Sequence, residues 1–193
     1  MKLTYRRLIA VLLLLALSVG FGFAFDAIAT AIEKHSYPLD TRYAAEIEKN
    51  AAAYAIPEAI LWACVRTESD FVSNLVSPDG KIGLMQLSPE RFRSVYTDIL
   101  HEPTAEDGML YDPATNLRAG AALISYLHGK YGVWETVFAA YHAGEAMVDA
   151  WLADPALVSE QGRLQNIPDE GTADYVEDMT DAVELYSRLY FEI

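Results

Sequence analysis

Cysteine is nearly absent from this sequence. Cys64 stands alone among 193 residues, which excludes a disulfide within the chain and leaves the residue to be read as a small core hydrophobe. Sustained alternation of apolar and polar residues is missing, so nothing argues for a β-sheet. Internal repeats and low-complexity tracts are missing too, which sets aside solenoids and compositionally biased linkers. There is no glycine-rich phosphate loop and no Cys/His cluster, so no metal, nucleotide or organic cofactor is expected. Basic residues are scarce. Lys2, Arg6 and Arg7 all precede residue 26, leaving 11 of the 14 Lys and Arg against all 28 Asp and Glu in the remainder. That acidity argues against nucleic acid and against docking on an anionic membrane surface.

Hydrophobicity, by contrast, is concentrated. Leu8 to Phe25 form an uncharged run of 18 residues, dominated by Leu, Ala, Val and Phe. As a helix it covers roughly 27 Å, close to the thickness of a bilayer core. Residues 1–25 therefore read as a signal anchor, with the basic residues in the cytoplasm and the rest exported. Gly22 to Ala24 offer a small-residue cleavage site, so a released, periplasmic or secreted product is the alternative. Residues 26–39 read as a juxtamembrane connector, and 40–193 as a single all-α domain.

Within that domain the punctuation is helical. Ala44, Ile47 and Ala51 recur at helical spacing between Thr41 and Tyr54. Pro57 suits the first turn of a helix running to about Ser69. Ser88-Pro89 and Asp112-Pro113 each pair an N-cap residue with Pro at the first helical position. Leu117, Gly120, Ala121, Ile124 and Leu127 mark a buried stripe that Gly132 ends. Further helices are expected from Trp134 to near Gly144, from Met147 to Leu152, and from Asp174 to Phe191, the last with Val176, Met179, Val183 and Tyr186 inward.

The helix after Pro57 raises a question about chemistry. Ile60, Cys64 and Glu68 fall on one i, i+4, i+8 line, so the face that enters the core delivers a carboxyl at its last turn. Burial there would raise the pKa, as a general acid requires; a helix-end charge turned to water is the other reading of the same spacing. Asp70 and Arg66 lie on other faces and read as solvated. Downstream stands "SPDGKIGLMQL", Ser77 to Leu87. Pro78 and Gly80 fit the second and fourth positions of a type I turn. Gly83 lets the backbone pass close to something. Gln86 supplies an amide that suits a sugar or an N-acetyl group. Met85 reads equally as core. "AAYHAG", Ala139 to Gly144, ends a helix with the hydroxyl of Tyr141.

"ESDF", "SPDGKIGLMQL", "YDPATNLRAGAALISYL", "AAYHAG" and a closing "IP…TADYV" stand in this order over about residues 38 to 190. Together they resemble the lytic transglycosylase family with the soluble-type catalytic domain, whose fold is all-α and lysozyme-like, related to goose-type lysozyme. The resemblance implies cleavage of the β-1,4 bond between N-acetylmuramic acid and N-acetylglucosamine in peptidoglycan, leaving 1,6-anhydromuramoyl ends without a cofactor. It implies Glu68 as general acid and then base. Ser77, Gly83, Met85 and Gln86 match the loop lining the sugar cleft, Tyr141 the tyrosine that positions the glutamate, and Tyr175 an aromatic of the C-terminal element. His142 stands where the family usually has Asn, and can donate, accept or become charged. Gly171, Thr172 and Ala173 replace a Glu-Thr-Arg run. The alternatives are a hydrolytic muramidase on the same fold, with Asp70 or Asp79 as its second carboxylate, and a catalytically silent glycan-binding envelope protein.

Overall fold

The computed structural model describes residues 3–103, 106–160 and 162–191, with side chains from Val11 onward. Lys2 lies outside the described residues, as do the side chains of Arg6 and Arg7. The chain divides into two compact units, residues 1–38 and 39–193.

The first unit is one helix, α1 (Leu3–Ser36), of 34 residues. Its stretch from Val11 to Ser36 has a mean hydropathy of 2.3 and is long and apolar enough to cross a membrane. The sequence reading placed an end near Phe25 and a separate connector over 26–39. The helix instead continues unbroken to Ser36, because Ala27 to Ile32 contain neither Gly nor Pro to stop it and three of the six are Ala.

The second unit is helical throughout. Among the described residues there is no strand, only isolated bridges joining Val76 to Ile82, Ile82 to Leu87 and Val158 to Leu164. Helix α2 (Ala44–Tyr54) begins three residues later than its pattern suggested, and ends where Ala55 turns left-handed at φ 53° and donates to Ala51 and Ala52. Pro57 is the N-cap of α3 (Glu58–Ser69), not its first residue: its ψ of 130° is extended.

Helix α3 is the axis of the core. Ala59 to Val65 are all buried, as befits a helix apolar on every side. It packs against α8 (Glu170–Tyr186), which also packs against α6 (Trp134–Ala143). Trp62 of α3 stacks on Tyr186 of α8 with ring centroids 6.2 Å apart. Helix α5 (Pro113–Tyr131) packs against α2 and α6 and buries the expected stripe. Asp112 caps it, accepting from the Thr115 amide at 2.9 Å, and Gly132 ends it at φ 70°. Between α3 and α5 lie the loop 70–88 and α4 (Pro89–Ser94), capped by Ser88 Oγ, 3.1 Å from the Arg91 amide.

Two starts differ from expectation. Helix α7 (Glu145–Leu152) begins directly after Gly144. Helix α8 begins four residues early, because Asp169 accepts from the Thr172 amide at 2.8 Å and so tolerates Gly171 in its first turn.

Candidate active site

Glu68 stands in the last turn of α3, and the chain then reverses at once. Asp70 and Phe71 both have positive φ, 47° and 62°, uncommon for residues with side chains. Phe71 is buried against Trp62 at 5.8 Å, and Ser69 Oγ lies 2.9 Å from the Leu84 carbonyl. These contacts hold the turn and tie the end of α3 to the loop beyond it.

Glu68 opens on a cavity of about 190 Å³, shared with Lys81, Gln86, Leu87, Ser88, Arg91, Leu123, Tyr141, His142, Ala143 and Gly144. Burial pushes its carboxyl up to about 7. Two features oppose that rise: the Tyr175 hydroxyl donates to Oε1 at 2.6 Å, and the Lys81 cation favours the charged form. Desolvation wins. The group can therefore hold a proton near neutrality and give it up. Cys64, one turn inward, is a buried thiol held well above its ordinary value, so it is inert packing as expected.

Several expected residues are placed differently. Tyr141 does not bond the glutamate: its hydroxyl donates to the Met85 carbonyl at 2.7 Å, and Tyr175 holds Glu68 instead. The Met85 side chain is fully buried and does not line the cavity; it fills the space left by Gly120, where an added Cβ would lie 2.6 Å from its Cγ. Gly83 is buried as well. Its close approach is to Asn116, whose Nδ2 would sit 2.2 Å from an added Cβ, and its φ is +85°. Ser77 forms the expected turn, closed by Gly80 N to Ser77 O at 2.9 Å, and stays outside the cavity lining. Gln86 lines the cavity, but its amide nitrogen already donates to Gly83 O at 2.8 Å and Leu75 O at 3.2 Å. Its carbonyl oxygen is what remains for a ligand.

His142 forms the wall between this cavity and a second one of about 430 Å³ that includes Met147, Trp151 and Asp169. Its ring stacks on Tyr175 at 4.6 Å, and Nδ1 lies 3.0 Å from Thr172 Oγ1. Thr172 already donates its proton to the Asp169 carboxylate at 2.6 Å. Nδ1 must therefore carry a hydrogen and donate, leaving Nε2 as an acceptor. Burial and then Lys81 lower the pKa of His142, while Asp169 and Asp79 oppose this.

Sequence reasoning missed Lys81, Arg91 and Asn116. Asn116 is fully buried; it accepts from Met85 N at 2.8 Å and donates to Ile82 O and Leu110 O at 2.9 Å each. The available signal was a polar residue in register with Gly120 and Ile124 on the buried stripe of α5.

An all-α domain whose central helix ends in a desolvated cleft carboxyl belongs to the lysozyme-like class. The model of the transglycosylase SLT domain matches residues 45–161, and the chain belongs to that family. It is 30% identical over 138 residues to the soluble lytic murein transglycosylase of Escherichia coli K12, covering 70% of this chain and 21% of that protein. It is 33% identical over 91 residues to the membrane-bound lytic murein transglycosylase C of Haemophilus influenzae Rd, covering 47% and 26%. Solved structures resemble it likewise. An inactive mutant of lytic transglycosylase Slt from Pseudomonas aeruginosa superposes with TM-score 0.70 at 28% identity, covering 80% of this chain and 25% of that one. The 70 kDa soluble lytic transglycosylase of Escherichia coli gives 0.73 at 25% identity, covering 82% and 26%. The chain thus spans about a fifth of the length of the first curated relatives.

Proposed function

We propose that this chain is a peptidoglycan lytic transglycosylase in which Glu68 acts as acid and then as base. The observation that carries the reading is the cavity itself: among the described residues Glu68 is its only carboxyl lining residue, and it is held near pH 7. A glycosidase with two working carboxylates places a second one across the cleft. Here Asp70 is exposed and paired with Arg66, and Asp79 is exposed and bonded to Ser77, which supports a reading with Glu68 as the single working carboxyl.

In the proposed reaction, protonated Glu68 gives its proton to the leaving glycosidic oxygen while positive charge grows at the muramoyl anomeric carbon, assisted by the substrate's own N-acetyl oxygen. Glu68, now anionic and held by Tyr175, takes the proton of the muramoyl 6-hydroxyl as that oxygen closes on the anomeric carbon. One carbon–oxygen bond breaks, one forms, and Glu68 ends protonated again. No water is consumed, and the attacking group is already tethered. Gln86 and His142 Nε2 offer acceptors to sugar hydroxyl or amide groups. Mass spectrometry of fragments released from purified sacculi tests the reading: anhydromuramoyl ends are expected, and reducing muramoyl ends would mean hydrolysis.

His142 should set the acid limb of activity. Protonation would put a cation beside Glu68, favour the carboxylate, and remove the Nε2 acceptor. Because its pKa lies below the ordinary 6.5, the loss should begin below that value. His142→Asn should keep activity at pH 7 within a fewfold and flatten the limb; superimposable pH profiles would return His142 to packing.

We further infer that α1 anchors the domain outside the cytoplasm, supported by its length and apolarity. A reporter fused after residue 193 should be active outside the cytoplasm, with the chain retained in membranes after carbonate washing. A soluble product starting near Phe25 would show cleavage instead.

A further inference from the structure

The cavity above Glu68 carries a charge pattern that the acidic composition does not foretell. Its charged lining consists of Glu68, Lys81 and Arg91, so two cations face a carboxyl that is readily protonated. Neither cation is tightly neutralised. Lys81 Nζ is 3.4 Å from Asp79 Oδ2, and Asp79 stands on an exposed turn with its other oxygen bonded to Ser77. Arg91 Nη1 is 3.5 Å from Glu145 Oε2, and Glu145 is shared with Lys130 at 3.1 Å. In a unit with 10 basic residues against 26 acidic ones, two cations in one small cavity imply an anionic occupant.

We propose that Lys81, supported by Arg91, forms a subsite for a carboxylate carried on the muramoyl residue of the substrate; this rests on the lytic reading above. N-acetylmuramic acid differs from N-acetylglucosamine by a lactyl ether that ends in a carboxyl group. On peptide-free strands that carboxyl is free. On peptide-bearing strands it is an amide, and the stem peptide supplies carboxylates of its own. Both sources present the same group, and lysine's flexible stem with three donors suits an anion whose position varies. The consequence is register. A cation that favours the muramoyl unit helps place the ring bearing the required 6-hydroxyl at Glu68, instead of its neutral neighbour. A bound carboxylate would also cancel the pull of Lys81 on Glu68 and so help the acid keep its proton.

The test uses the full-length Glu68→Gln chain in detergent, so that ligands survive, and measures binding calorimetrically. The probes are a peptide-free muramoyl tetrasaccharide, its lactyl carboxamide, and a peptide-bearing strand of equal length. The free acid should bind roughly tenfold more tightly than the carboxamide, as one charge-assisted hydrogen bond in a partly open site supports. Adding Lys81→Gln should shrink that ratio to within about twofold, and adding Lys81→Arg should retain most of it. A Lys81-dependent gain confined to the peptide-bearing strand would locate the recognised carboxylate on the peptide. If acid and carboxamide bind alike, and Lys81→Gln alters all three affinities equally or none, the subsite is overturned. Absence of anhydro ends from wild-type digests would instead overturn the lytic reading, so the two failures are separable.

Discussion

Glu68→Gln should leave the fold intact and lower the release of anhydro fragments by about 10²–10⁴-fold or more. Gln keeps the shape and still accepts the Tyr175 hydroxyl, but it can neither give nor take the proton. Near wild-type release from the purified variant would remove Glu68 from the mechanism. The same change makes a prediction of opposite sign for stability. The folded pKa of Glu68 is about 7 against an ordinary 4.5, so below pH 4.5 burial costs it nothing as an acid. As pH rises from about 4.5 to 7, the unfolded chain gives up this proton while the folded, desolvated carboxyl keeps it, so wild type loses stability that the amide variant keeps, and the loss is complete above 7. Above pH 7 the variant should therefore be the more stable protein, by up to about 3 kcal/mol. Wild-type activity should fall as pH rises past about 7, because the proton to be donated is then gone. A variant that is inactive but less stable at pH 8 would point to a structural role.

What the sequence made legible follows from which interactions are local. Helix α5 was readable because Asp112-Pro113 caps it, an apolar stripe fills it, and Gly132 stops it, all within one segment. The spacing of Glu68 from Ile60 and Cys64, a property of α3 alone, put it on the inward face but left a solvated helix-end charge open, and the family resemblance decided for the acid. The identity of its hydroxyl partner was not legible. Tyr141 and Tyr175 lie 73 and 107 positions from Glu68, and only the packing of α6 and α8 on α3 decides which one reaches Oε1. The motif "GLMQL" suggested a sugar-facing loop, yet its Gly and Met turn inward, because the loop is pinned to α5 from below. Its cleft-facing residues are Gln86 and Leu87, with Lys81 before the motif and Ser88 after it. The helix starts that were missed, at Glu145 and Glu170, both carry a Gly within or before the first turn. There a cap or a tertiary contact outweighs local propensity.

That pinning leads to the largest expected effect on stability, which falls on Asn116 and not on a cleft residue. Its side chain joins three backbone groups from two segments: Met85 N–H and Ile82 C=O in the loop, and Leu110 C=O in the turn before α5. All three bonds are buried, so water cannot replace the side chain where it sits. Asn116→Ala would leave the Met85 N–H and the Leu110 C=O without that partner, at about 1–3 kcal/mol each, for a total of roughly 2–6 kcal/mol, while Ile82 C=O keeps the Leu87 N–H at 3.2 Å. That is a large fraction of the 5–15 kcal/mol that holds an ordinary domain folded, and it should lower the melting temperature by on the order of 10 °C or more. Asn116→Asp should be no better. The carboxylate can still accept from Met85 but would face two carbonyl oxygens, without a cation to offset its burial. Activity should fall too, because the Met85 carbonyl that receives the Tyr141 hydroxyl belongs to the same loop, as does Gln86. Denaturant titration of both variants beside wild type measures the loss. A midpoint change corresponding to less than about 1 kcal/mol would mean that the loop keeps its shape without Asn116, and that the lock lies in Gly83 and Met85 packing alone.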